Sequence, residues 1–489
     1  MAKKLMLQGT MSNVGKTLLT AGLCRVMRQD GFLVMPFKAQ NMSLNSCITN
    51  DGLEMSRAQV MQAEAAGVLP SADMNPLLLK PTSHQGSQVI LQGRVLDNMS
   101  AVDFYRRKAE FRPKILESFH RLEEKADVIL IEGAGSPVEL NLRSDDLVNM
   151  GFAEMVDAPV LLIGDIDPGG VFAQLLGTLS LLSESERDRV KGLIVNKFRG
   201  DRALFQDGVR ILEERSGLPV VGVIPYTELA LSDEDSMSGR LKRSKNAGNQ
   251  EIFDIAVIRY PHISNFTDFD VFDAWPDMSV RYVTRPEELK CPDLLILPGS
   301  KNTMADLSWL RDSGFTKPIL AYSKRGIILG ICGGYQILGE TIEDPKGVEH
   351  GGAVAGLSLL SVNTTLEEDK VQQERKGVIG SLSRDFRELS GCSVSGYEIH
   401  MGRTDSAGTE GETGILREEG NVYGTYLHGI FDAPDVIPAL RRSLARKRGI
   451  EIEDLKEVDY ETFKEKEYDR LADVLRANLD MQLIYEILK

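Results

Sequence analysis

Cysteine is scarce in this sequence, and the five present, Cys24, Cys47, Cys291, Cys332 and Cys392, are odd in number and widely scattered. They form no CxxC pair and no His/Cys cluster. That excludes a disulfide framework or a zinc site of ordinary spacing and fits a reducing, cytosolic compartment. Long apolar runs are also missing: "MAKKLMLQGT" is too short for a signal peptide, and no stretch reaches transmembrane length. Basic charge is in deficit. A net charge of −15 argues against broad binding to nucleic acid or an anionic membrane, while leaving room for a local positive pocket that takes a small anion. There is no internal repeat and no low-complexity tract. The expectation is a soluble cytoplasmic protein acting on a small molecule, with no obligate partner chain implied.

What is there is ordinary globular composition, 42% apolar and 26% charged, spread over 489 residues. That length exceeds what one core usually serves and predicts two or three domains. "KKLMLQGT", "LVMPFK", "DVILIEGAG", "APVLLIGDID", "GLIVNKF" and "VVGVIP" read as buried strands ending in glycine or polar residues, with amphipathic stretches between most of them. Apolar strands joined by helical crossovers make a parallel sheet covered on both faces, so the fold class is α/β. Chemistry then collects at the carboxyl ends of the strands. Residues 232–251 hold almost no apolar anchor and read as a linker. A second α/β alternation runs from "FDIAVIRYP" to "VYGTYLHGIF", and a helical tail follows. Residues 364–376, "TTLEEDKVQQERK", read as a charged surface excursion.

"GTMSNVGKT", residues 9–17, follows a strand and opens a helix. Backbone N–H groups of such a turn, with a helix N-terminus behind them, cradle phosphate. Gly9, Thr10, Ser12, Asn13, Val14 and Gly15 form the loop. Lys16 is expected on the β/γ-phosphates of ATP and the Thr17 hydroxyl on Mg²⁺. Five residues, where the usual pattern has four, separate Gly9 from Gly15. This variant resembles the loop of dethiobiotin synthetase and its relatives. Partition-type ATPase switches carry an extra lysine early in the loop, and Met11 stands there instead. Glu132, at the end of "VILIE", can complete a Mg²⁺ shell. Asp165 and Asp167 precede a Gly-Gly turn, facing substrate or phosphate, or simply capping a helix. "NKFRGD" resembles the base-recognition segment of the same nucleotide-binding group, which puts Asn196 at adenine.

"GIILGICGGYQILG", residues 326–339, breaks an apolar strand on Cys332 and two glycines. A strand–Cys–helix elbow offers its sulfur at a helix N-terminus, where thiolate is favoured, with Gly330, Gly333 and Gly334 permitting the turn. A proton carrier is needed for acyl transfer through a thioester, and "GTYLHGIF" supplies His428, with His350 and His400 as competitors. Gly333, or the turn "LPGSKNT" with Gly299 and Ser300, can donate to an oxyanion. The other four cysteines read as packing residues.

These motifs together resemble the class I (triad) glutamine amidotransferase domain. The usual triad has a glutamate two residues after the histidine; here that position is Ile430. The branch of cobyrinic acid a,c-diamide synthase and cobyric acid synthase is known for lacking that carboxylate, which leaves open what orients His428 and implies a sluggish isolated glutaminase. "PFKAQNMSLNS", "EMSRAQVMQAEAA", "NPLLLKP", "SNFTDFD" and "GYEIHMG" are similar to the cobyric acid synthase family in particular, over nearly the whole chain. Taken alone, "NFTDFD" reads as a turn and "YEIH" as an edge strand.

The resemblance implies a P-loop parallel-sheet synthetase domain at 1–231, a linker at 232–251, an α/β glutamine amidotransferase domain at 252–440 and a helical C-terminal tail at 441–489. It implies Gln336, Tyr397 and His400 near glutamine, and Lys38 and Asn41 near phosphate or substrate. The implied reaction is ATP-dependent, Mg²⁺-assisted amidation of the b, d, e and g carboxylates of adenosylcobyrinic acid a,c-diamide, with glutamine as the ammonia donor. The alternatives are the a,c-diamide synthase, a nucleotide-switch or scaffold protein with an inactive glutaminase, or another ligase built from the same modules.

Overall fold

The computed structural model describes residues 2–81, 86–142, 146–231, 252–406, 414–451 and 458–489; the expected linker lies outside them. Six strands form the first sheet: β1 (Lys3–Gly9), β2 (Val34–Phe37), β3 (Val128–Glu132), β4 (Val160–Asp165), β5 (Val190–Phe198) and β6 (Val220–Pro225). Their order is β6-β5-β4-β1-β3-β2, and every pair is parallel. The reason is in the strands themselves: β3 and β4 are buried at every residue, so both faces need cover. Helices α1 (Lys16–Gln29) and α2 (Arg57–Ala66) pack beside one another near β1 and β2, and one core lies on each face of the sheet.

The second sheet uses β7 (Phe253–Ile258), β8 (Met278–Val283), β9 (Leu294–Leu297) and β10 (Ile327–Ile331). Beyond them come β11 (Val362–Val378) and β12 (Ser393–Ser406), which pair as a long antiparallel ribbon outside this sheet. The sheet is completed by β13 (Arg417–Glu419) and β14 (Val422–Thr425) in the order β8-β7-β9-β10-β14-β13, parallel except at the β13 edge. The elbow helix α3 (Gly333–Leu338) leaves β10 directly.

Helix α4 (Val436–Arg448) crosses the 440/441 division and packs in the second unit's core. Helices α5 (Tyr460–Asn478) and α6 (Met481–Ile487) return to the first unit. Tyr468, Leu471, Ala472 and Leu475 of α5 are buried with Leu23, Val26 and Met27 of α1. The contact is closest at Gly22, where a Cβ would stand 2.5 Å from Leu475 Cδ1.

Residues 364–376 are not a free excursion. They lie within β11, and Lys370 and Gln372 are turned against the first unit, each donating to the fully buried Glu54 at 2.6 Å. A carboxylate across the boundary makes burial of that lysine possible. Among the described residues no helix is long and apolar enough to cross a membrane.

Candidate active site

Cys332 sits between β10 and α3 with φ 52° and ψ −110°. The positive φ thus falls on the cysteine, not on its glycines. Gly333 and Gly334 answer a different need, close approach: a Cβ on Gly334 would lie 1.8 Å from the Leu297 carbonyl oxygen, and one on Gly333 would lie 2.8 Å from the Ser300 nitrogen. The elbow is therefore pressed onto the turn after β9. The elbow does not open the sulfur to solvent, because Cys332 is only 5% exposed. Strand β12 lies across it, and Sγ donates weakly to the Ile399 carbonyl at 3.6 Å.

His428, fully buried, follows β14 and is tied to β12 by reciprocal backbone bonds with Tyr397. Its imidazole stacks on the Tyr397 ring at 5.3 Å between centroids, 21° apart, and its Nε2 is buried without a hydrogen-bond partner among the described residues. The residue that sequence reasoning missed is Asp268. Its Oδ2 accepts from His428 Nδ1 at 2.7 Å, and its Oδ1 accepts from the Gly429 N–H at 3.1 Å. Burial alone would push the imidazole down, but the Asp268 carboxylate and its hydrogen bond lift it to about 10. Imidazole and carboxylate are thus paired beside the thiol, the carboxylate supplied from far upstream, in place of the expected triad position occupied by Ile430. The signal was present in "NFTDFD", read alone as a turn; its partner lay 160 positions away.

The other histidines do not compete. His350 is exposed. His400 stacks on Tyr426 at 3.8 Å, donates from Nδ1 to the Gly402 carbonyl at 3.1 Å, and is pushed down to about 4, mainly by burial. Gln336 is fully engaged: Oε1 accepts from Thr303, and Nε2 donates to the Met401 carbonyl and to Tyr426, all at 3.1 Å. Gly299 and Ser300 pair with Ser264 and Ile263, and a Cβ on Gly299 would meet His428 Cε1 at 3.3 Å. The Tyr397 hydroxyl has no hydrogen-bond partner among the described residues.

A cavity of about 40 Å³ touches Cys332 and is lined by Lys80, Lys301 and Lys370 as well as Glu349 and His400. That is room for water. A second cavity of about 860 Å³ shares Lys370 and His400 with it and lies along the β11–β12 ribbon. Burial, reinforced by Lys370 and Lys80, pushes Lys301 down to about 7. Cys291 corrects the packing expectation: it is exposed, whereas Cys24 and Cys392 are buried and Cys47 is half-buried.

At the first unit's sheet, Asn13 and Gly15 take positive φ (61° and 96°), which curls the loop over the start of α1. Lys16 Nζ donates to the Met11 carbonyl at 3.1 Å and the Gly135 carbonyl at 3.3 Å, spanning the cradle. Ser12 is exposed on the loop and Val14 is buried against Gly9. Thr10 Oγ1 donates to Gln174 at 3.2 Å. Glu132 closes the site from β3: Oε1 accepts from Thr17 at 2.9 Å and from Lys38 at 2.8 Å, and Oε2 accepts from Gln62 at 2.6 Å. Two hard oxygens, hydroxyl and carboxylate, suit Mg²⁺, which takes few protein ligands and completes its shell with phosphate and water. No cluster of three or more acidic, His or Cys side chains that could hold a metal is present among the described residues.

Asn41 donates to Ser56 at 2.8 Å and Gln59 at 3.0 Å. Asp165 accepts from Lys197 at 2.8 Å, and Asp167 from Arg199 at 2.7 Å. Asn196 donates to the Val14 carbonyl at 2.7 Å, so it braces the loop from below. It also lines a cavity of about 270 Å³ walled by Pro225–Leu229 and by Leu471 and Val474 of α5.

The two units are locked through buried polar groups. The Ser46 N–H donates to Asn265 Oδ1 at 3.1 Å, the Phe266 N–H donates to Asn45 Oδ1 at 3.2 Å, and Glu54 takes Lys80 and Lys370.

Two family models match the chain. One described as a CobQ/CobB/MinD/ParA nucleotide binding domain matches residues 5–238, and one described as a CobB/CobQ-like glutamine amidotransferase domain matches residues 254–436. Curated relatives called cobyric acid synthase match end to end. That of Lachnoclostridium phytofermentans is 50% identical, covering 100% of this chain and 99% of its own. That of Ruminiclostridium cellulolyticum is 49% identical, covering 100% and 98%. That of Clostridium botulinum (strain ATCC 19397) is 49% identical, covering 99% of each.

Proposed function

The chain belongs to the cobyric acid synthase family, glutamine-dependent amide ligases of cobalamin biosynthesis, and we propose that it converts adenosylcobyrinic acid a,c-diamide to adenosylcobyric acid, amidating the b, d, e and g carboxylates through acyl phosphates. The observation that carries this reading is the grouping of Cys332, His428 and Asp268 in the same chain as a loop whose Lys16 spans a phosphate cradle.

A carboxylate is a poor acceptor for ammonia because it would have to expel oxide. Phosphorylation gives it a leaving group. Backbone N–H groups of residues 10–16 and the Lys16 ammonium hold the nucleotide phosphates and take up charge on the transferred phosphoryl. Mg²⁺, when bound, would be held by Thr17 and Glu132 and would neutralise phosphate charge. In the glutaminase, Cys332 Sγ attacks the side-chain amide carbon of glutamine, and the oxyanion faces the backbone of Gly333 and of Gly299–Ser300. His428 takes the Cys332 thiol proton on Nε2 as Sγ attacks and delivers that proton to the departing ammonia, and water then hydrolyses the glutamyl thioester. Lys301, which lines the cavity at Cys332, offers an N–H donor to the α-carboxylate of glutamine. Ammonia displaces phosphate from the activated carboxylate to give the amide.

The test is incubation with ATP, Mg²⁺ and glutamine on either cobyrinic acid or its a,c-diamide, with amides counted by mass spectrometry. Four additions to the a,c-diamide are expected; two additions to cobyrinic acid, and none to its diamide, would overturn the reading. Cys332→Ala is expected to abolish glutamine-supported synthesis while sparing the reaction with free ammonia, and Lys16→Ala to abolish both.

A further inference from the structure

Helix α2 touches both chemistries. Its Gln62 and Gln59 reach Glu132 Oε2 at 2.6 and 3.5 Å, beside the phosphate loop. Its first residue, Arg57, points the other way and leaves its own domain. Arg57 Nε donates to Thr267 Oγ1 at 3.4 Å, and its guanidinium stands 4.0 Å from Asp432 and 5.9 Å from the centre of the Tyr397 ring. Each of these contacts lies within a few residues of the catalytic imidazole, and Tyr397 touches it. Thr267 immediately precedes Asp268; Tyr397 stacks on His428; Asp432 sits beyond Gly429, whose N–H bonds Asp268.

The segment carrying Asp268 buries Phe269, Val271 and Phe272 in its own unit's core, while its entry also meets the other unit. Asn265 takes a positive φ of 51°, and the 3₁₀ turn that follows, Phe266–Ala274, starts without a side-chain cap of its own. Its entry is held instead across the boundary by Asn45, Ser46 and Arg57. A 3₁₀ turn has weaker hydrogen-bond geometry than an α-helix, so contacts from outside add to what fixes its entry.

We propose that Arg57, carried by the nucleotide-binding domain, is a positioning residue of the glutaminase. It fixes Thr267 on one side and the Tyr397 ring on the other, and thereby sets the Asp268–His428 line against Cys332. Glutamine hydrolysis then depends on how α2 is seated, and α2 is seated on Glu132. A guanidinium suits this task better than an ammonium because its planar fork can serve a hydroxyl and a carboxylate while one face lies toward a ring. The inference rests on the assignment of Cys332 and His428 made above.

The experiment measures glutamine hydrolysis and ammonia-supported amidation by the full chain, for wild type, Arg57→Ala, Arg57→Lys and Cys332→Ala. Arg57→Ala is expected to lower kcat for glutamine at least about tenfold with KM and the ammonia-supported rate held within about twofold, since misplacement of a catalytic group acts on the transition state and not on uniform binding. Arg57→Lys should recover part of the loss. An unchanged kcat overturns the proposal. So does an equal fall in the glutamine-dependent and ammonia-supported rates of a variant whose melting transition matches wild type, which places the effect outside the glutaminase. If Arg57→Ala does not fold, Thr267→Val, which removes only the acceptor hydroxyl, carries the same expectations. Cys332→Ala separates the two readings: if it retains glutamine hydrolysis, the nucleophile assignment itself has failed.

Discussion

Asp268 serves two donors with its two oxygens, the His428 imidazole and the Gly429 N–H, and so fixes both the ring and the chain that carries it. Asp268→Asn keeps the volume but can turn an N–H toward Nδ1, forcing the wrong tautomer. Turnover of glutamine is expected to fall by about 10²–10⁴-fold, with ammonia-supported synthesis retained. The same pair contributes to stability, with a definite sign. Because His428 is lifted from 6.5 to about 10, its contribution is fully present below pH 6.5 and is lost as pH rises through about 10. Denaturation of wild type and Asp268→Asn across that window should therefore show a gap that narrows toward alkaline pH. A constant gap would mean that the ion pair is not its source.

At the scale of elements, the elbow depends on missing side chains more than on present ones. Gly334→Ala would drive a methyl into the Leu297 carbonyl, which is backbone and cannot yield. A loss of more than about 3 kcal/mol is expected by denaturant titration, together with glutaminase activity, whereas Gly347→Ala, at a turn with open space but positive φ, should cost only about 1 kcal/mol. Elements of this kind were legible in the sequence where one physical signal dominated. β3 and β4 are apolar at nearly every residue, and the phosphate loop and the Cys332 elbow each carry a local pattern. β11 was not legible, because "EEDKVQQERK" looks like solvent until Glu54, more than three hundred positions earlier, neutralises Lys370. Asp268 was hidden for the same reason. Pairings between distant residues leave no mark on spacing.

At the scale of the whole molecule, Glu54 joins the units. It is fully buried and accepts from Lys80 and Ser46 in its own unit and from Lys370 and Gln372 in the other. Burial would raise its carboxyl, but Lys370 and Lys80 hold it well below the usual range. Its contribution is therefore present above pH 4.5 and lost as pH falls. Glu54→Gln leaves two buried ammonium groups without their anion and is expected to cost about 3–5 kcal/mol at neutral pH. The variant should also lose the acid-sensitive part of wild-type stability, read from urea midpoints between pH 3 and 7. Equal midpoints for variant and wild type at pH 7 would show that the units are held by other contacts.

The return of α5 onto α1 has a consequence for biosynthesis. Domains emerging from the ribosome generally fold in order, the earlier one first. Here Leu23, Val26 and Met27 receive their cover from Tyr468, Leu471 and Leu475, encoded some 440 codons later. Until translation reaches them, the nucleotide-binding half presents a greasy helix face to solvent or to a chaperone, and it acquires its finished form only after the glutaminase has been made.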